Sequence, residues 1–192
     1  MSLAVASGAQ PGVADDGADS LDVVRRVDWR FVLPDPSLGR VAYLPPHDAA
    51  LAEALGLVSA GEVALDVPVG ATEAYDAVVL TGGARDQARA AWELLRPGGW
   101  VYAEIPGRAA GPLGRALRAA GFVDVTAYWL WPRAGACMEI VPLEPQAIRH
   151  VLGRRDPGAR IRVRARAARA LADARLFRFA VRDACVVGRR RP

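Results

Sequence analysis

Four places in this 192-residue chain carry groups able to do chemistry, and each adjoins a run that reads as a strand. Glu104 lies near the end of Trp100-Val-Tyr-Ala-Glu-Ile105, where a carboxylate can serve as a general base or sit in a salt bridge. His47 follows Pro45-Pro46 and opens a helical pattern. An imidazole there would exchange protons near neutral pH, or simply begin the helix. Asp66, in Ala64-Leu-Asp-Val-Pro68, puts a carboxylate at another strand end, facing ligand or solvent. Thr81-Gly-Gly83 follows Tyr75–Leu80, and its glycines supply positive φ for a turn.

Composition removes several classes of chemistry. All 25 cationic residues are arginine. Without lysine there is no Schiff base, no lysine general base and no P-loop lysine. Cys137 and Cys185 match no metal or redox spacing, and with two histidines no metal site is expected; buried free thiols are favoured over a disulfide. No apolar run approaches the roughly 18–20 residues of a membrane helix, and no secretory signal opens the chain, so a soluble cytoplasmic protein is expected.

The elements that must position these groups alternate. Residues 1–20 read as a disordered leader. Residues 21–29 suit a short helix or an edge element, and 31–39 a loop. Strands are expected at Arg40–Leu44, Glu62–Val67, Tyr75–Leu80 and Trp100–Ile105. Helices are expected at His47–Leu57, Arg85–Leu95 and Leu113–Ala120, the second stopped by Arg96-Pro-Gly-Gly99. Val123–Trp131 and Ala136–Leu143 form a hairpin around Pro132-Arg-Ala-Gly135. Helices near Glu144–Leu152 and Arg164–Leu176 precede a strand-like run, Phe179–Val187, that pairs with the sheet edge or the hairpin. Strands linked through helices predict an α/β fold: a mainly parallel sheet in three layers, closed by a C-terminal antiparallel hairpin.

Within that alternation, Tyr75-Asp-Ala-Val-Val-Leu-Thr-Gly, a helix, and Leu95-Arg-Pro-Gly-Gly-Trp-Val-Tyr-Ala-Glu resemble the middle of class I S-adenosylmethionine (SAM) methyltransferases. Leu113-Gly-Arg-Ala-Leu-Arg-Ala-Ala-Gly-Phe-Val-Asp-Val125 is similar to the family's following segment. The resemblance spans residues 40–143 and implies a Rossmann-like fold with SAM as cofactor. It would place Asp66 on the ribose hydroxyls, and Thr81, Gly82 and Gly83 beside the ligand, with Glu104 and His47 as candidate catalytic groups. Two departures stand out. The family's glycine-rich loop after the first strand is replaced by Leu44-Pro-Pro-His-Asp48, whose prolines lack backbone donors. About eight residues separate Asp66 from Tyr75, too few for the family's usual helix and strand, so one strand is expected to be missing.

The expected organisation is a leader (1–20), a methyltransferase-like domain (21–143) and a basic helical extension with a final strand (144–192). Residues 141–192 hold 14 arginines against four acidic residues. The run Arg160-Ile-Arg-Val-Arg-Ala-Arg166 lacks interleaved aromatics, so an acidic protein surface or plain solubility is favoured over nucleic acid. Trp129 and Trp131 share one face of their strand, suited to packing under a helix or to a protein partner. The expectation is a degenerate methyltransferase-like domain without SAM binding, acting as a scaffolding subunit or in recruited biosynthetic chemistry. The alternative is an active SAM-dependent enzyme acting on a small molecule or peptide.

Overall fold

The computed structural model describes residues 23–81, 85–106, 110–133, 137–154 and 176–192, together with 168, 170, 171 and 173. The leader (1–20), Gly82, Gly83 and the Arg160–Arg166 run lie outside the described residues. Short Val/Ala/Leu runs bounded by proline and glycine become strands, as their β-branched content and punctuation dictate. In chain order the elements are β1 (Val41–Leu44), α1 (Ala49–Val58), β2 (Val63–Ala64), β3 (Tyr75–Thr81), α2 (Arg85–Leu94), β4 (Leu95–Pro106), α3 (Ala110–Ala119), β5 (Val123–Trp131), β6 (Glu139–Pro142), α4 (Pro145–Arg154), α5 (Phe177–Ala180) and β7 (Asp183–Arg189). A 3-10 turn, Asp28–Val32, precedes them.

The described strands form one sheet of seven, ordered β2-β1-β3-β4-β7-β5-β6. β2, β1, β3 and β4 pair in parallel. β7 is antiparallel to both β4 and β5, and β6 is antiparallel to β5. The final strand is therefore inserted inside the sheet, not added at its edge. It also begins later than the sequence suggests, because Phe177–Ala180 coil into a helical turn ending at Val181. Between Ala64 and Tyr75 the chain forms neither helix nor strand, so β1 and β2 alone flank β3 on that side, as the short spacing predicts.

Arg96-Pro-Gly-Gly99 also differs from expectation. It ends the helix but lies within β4, where Leu95 pairs with Tyr75 and Trp100 with Ala77. The longer stretch on β4 bulges out, and Gly98 takes φ +80° to allow it.

Side-chain alternation splits the core in two. One sheet face carries Tyr43, Ala77, Val79, Tyr102, Cys185 and Val187; it is covered by Leu51, Ala54 and Leu55 of α1 and by Val27, Trp29, Leu33 and Leu38 from the segment before β1. The other carries Ala42, Val78, Leu80, Val101, Ala103 and Val186, under Ala88 and Ala91 of α2, Leu113 and Leu117 of α3, Ile148 of α4 and Phe177 of α5. This is the three-layer α/β arrangement. No helix among the described residues is long and apolar enough to cross a membrane. Both cysteines are buried free thiols.

The entry to β1 depends on Gly39, whose φ is +59°. A Cβ there would overlap the carboxylate of Asp76, which accepts from the Arg40 amide at 2.6 Å and pairs with Arg96 at 2.6 Å. Gly39→Ala is expected to cost about 2–4 kcal/mol, combining left-handed strain with the displaced charged acceptor. Urea unfolding measures it; a loss under about 0.5 kcal/mol would show that Asp76 moves aside freely.

Candidate functional site

Ligands of open α/β sheets bind beyond the carboxyl ends of the parallel strands. Here the register brings Leu44 of β1 level with Leu80 of β3, and Thr81 level with Glu104 of β4. The period of two puts Tyr102 and Glu104 on the face shared with Tyr43. Glu104 is 6% exposed, so its charge must be met inside the protein.

Arg26 meets it. This side chain, itself 7% exposed, reaches in from the segment before β1. Its Nη2 donates to Glu104 Oε2 at 2.7 Å, and its Nη1 donates to Glu104 Oε1. The same guanidinium bridges to Asp48 Oδ2, through Nε at 3.1 Å and Nη2 at 2.7 Å. Tyr102 Oη donates to Glu104 Oε1 at 2.6 Å. Trp29, three residues after Arg26, stacks on the Tyr102 ring with centroids 3.8 Å apart.

The loop after β1 closes over this cluster. Asp48 caps α1, its Oδ1 accepting from the Leu51 amide at 3.1 Å, while its own amide donates to Tyr43 Oη at 3.0 Å. Thr81 Oγ1 donates to the Pro45 carbonyl at 2.7 Å, and the His47 amide donates to the same oxygen at 2.8 Å. Pro45 is thus tied to β3, and Tyr43 fills the ground beneath the loop.

The electrostatics follow from burial and pairing. Burial pulls the Arg26 pKa down, but hydrogen bonds and charge from Glu104, with those from Asp48, outweigh it and raise it above the usual guanidinium value. Burial likewise pushes Asp48 up, and the Arg26 pair and the Leu51 amide overturn that, leaving its carboxyl below the ordinary value. The Tyr102 phenol is pushed well up, by burial first and then by the Glu104 charge, so it stays a neutral donor. Burial also raises Cys185, with the Glu104 charge adding to it, and burial raises Cys137. Both stay thiols at neutral pH.

Among the residues singled out from sequence, Glu104 and Thr81 are brought to this cluster at the strand ends. His47 contributes its backbone, and its side chain is exposed. Asp66 lies two residues beyond β2, exposed, with no contact joining it to the cluster among the described residues. Gly82 and Gly83 fall outside those residues. Trp129 packs edge-on against Phe177 of α5, centroids 5.4 Å apart, and Trp131 is half-buried. Arg26, Tyr43 and Tyr102 were not legible as site residues. Asp48 was legible only as a residue near the start of a helix.

No family model matches the sequence, and no curated protein is a significant match. Solved structures do match. A SAM-dependent methyltransferase from Archaeoglobus fulgidus superposes with TM-score 0.52 at 10% identity, over 90% of this chain and 94% of that one. Another, from Thermotoga maritima, gives 0.45 at 11% identity, over 92% and 96%. The SpnF cyclase gives 0.40 at 17% identity, over 92% and 82%. The protein has the class I methyltransferase-like fold. At these identities the likeness is one of fold.

Proposed function

We propose that the chain is a degenerate methyltransferase-like domain that has lost SAM binding, serving as a binding or scaffolding subunit or in recruited non-methyl-transfer chemistry within a biosynthetic pathway. The observation that carries this reading is the Arg26 bridge between Asp48 and Glu104, at the strand ends where this fold takes its ligand. A cradle for the amino-acid part of SAM needs free backbone donors and close approach. Leu44-Pro-Pro-His-Asp48 offers two prolines, and the Asp48 amide is already spent on Tyr43. Glu104 holds Arg26 and Tyr102 on its two oxygens, so both are already taken up by partners inside the protein. These features of the described residues support the reading that SAM is not held here.

One observation favours the second reading, an active SAM-dependent enzyme on a small molecule or peptide. Asp66 presents an exposed carboxylate just past β2, where this fold meets ribose hydroxyls.

Calorimetric titration with SAM and with S-adenosylhomocysteine separates the two. The expected result is no saturable heat with either ligand from a sample that unfolds cooperatively. Micromolar binding lost in Asp66→Ala would overturn the proposal in favour of the enzyme.

A further inference from the structure

The sheet face opposite the Arg26 cluster carries a cleft of about 400 Å3, between α3, the first half of β5 and the turn into α4. Its position is separate from the Arg26 cluster: Val186, in the lining, points to the face opposite its neighbour Cys185, which is level with Glu104. The volume falls in the range that encloses a small molecule, roughly 300–1,000 Å3. Gly114 of α3 helps to keep it open, since no side chain projects from the helix there.

The lining is chemically divided. Val125, Ala127, Leu143 and Val186 supply an apolar floor. Arg115 and Arg118 stand on the α3 wall, and Glu144 stands at the turn into α4. Arg118 donates to two neutral carbonyls, Gly114 at 3.3 Å and Val125 at 2.7 Å, which orient its guanidinium without neutralising it. Among the described residues no carboxylate pairs with either arginine and no cation pairs with Glu144. Opposite charges thus line one cleft, over an apolar floor, on separate elements without meeting. A molecule bearing both charges and an apolar body complements that arrangement; a simple hydrocarbon or a dianion does not.

We propose that this cleft binds a small zwitterion with an apolar body, in the chemical class of a free amino acid with an aromatic or branched side chain. Its carboxylate lies on Arg115 and Arg118, its ammonium on Glu144, and its side chain on the β5–β7 floor. Guanidinium forks suit carboxylates geometrically, and charge-assisted bonds in a partly desolvated cleft decide orientation. The site stands apart from the SAM question, and its test does not depend on that answer.

The experiment is a titration of the full chain followed by NMR or calorimetry, with L-phenylalanine, 3-phenylpropionate and phenethylamine as three matched probes. Phenylalanine is expected to bind saturably, and each analogue lacking one charge about tenfold more weakly. Arg115→Gln should weaken phenylalanine and phenylpropionate about tenfold and leave phenethylamine unchanged; Glu144→Gln should do the reverse for the two single-charge probes. Arg115 is exposed, so its variant keeps the fold, and an unchanged melting temperature checks this. No saturable phenylalanine binding at millimolar concentration, or phenylpropionate binding as tightly as phenylalanine, would overturn the proposal.

Discussion

Arg26→Met is expected to destabilise the protein by about 3–5 kcal/mol, the cost of leaving a buried charge without its partner. The substitution keeps an apolar stem of similar length, so the packing of Val27 and Trp29 is preserved while the guanidinium is lost. Among the described residues Glu104 then retains only the Tyr102 hydroxyl as a donor, inside a site where it is 6% exposed. Asp48 suffers less, because its side chain is 36% exposed and water can replace the lost bond. The decisive comparison is the double variant Arg26→Met/Glu104→Gln. The amide still accepts from Tyr102 but carries no charge, so it should recover about half of the loss. Urea unfolding with the slope held constant reads both numbers. A single variant that loses less than about 1 kcal/mol would mean that water reaches the cluster and solvates Glu104 in place of Arg26.

Trp29→Ala is expected to cost a similar amount, about 3–5 kcal/mol, as deletion of a buried indole from a packed core does. The ring is 3% exposed and lies flat on Tyr102, with an interplanar angle of 9°. Its Nε1 is buried without a hydrogen-bond partner among the described residues. That makes Trp29→Phe informative: it removes the orphaned donor along with part of the ring, and should cost less than about 1.5 kcal/mol. Thermal unfolding of the pair tests whether residues before β1 belong to the core. Equal, small effects from both variants would place that segment outside the cooperative unit.

Much of the sheet was legible because its signals are local. Tyr75–Leu80 and Val123–Trp131 read directly as strands from their apolar content and their glycine and proline boundaries, the first running one residue further in the structure. The missing strand was legible too, from counting residues between Asp66 and Tyr75. The expected strand Glu62–Val67 shrinks to Val63–Ala64, since it stands at the sheet edge and Leu65 turns out to solvent. The site was less legible because its decisive contacts are long-range. Arg26 meets Asp48 across 22 positions and Glu104 across 78, and no periodicity encodes such a pairing. By type it was one arginine among 25 cations. Its burial follows from Val27 and Trp29 packing beside it, which the short segment's pattern left open between a helix and an edge element. Glu104 stood out as a strand-end carboxylate, but one sequence cannot distinguish a base from a structural anion when the partner lies so far away.

The insertion of β7 between β4 and β5 sets a condition on synthesis. A ribosome delivers β1 to β6 first, and through that interval β4 and β5 face outward with unpaired amides and carbonyls, the kind of edge that invites association with other chains. Among the described residues, the strand that joins them is supplied by Asp183–Arg189 alone. Vectorial folding is therefore expected to leave two open half-sheets until Asp183–Arg189 emerge. The nascent chain is most in need of chaperone cover over that interval.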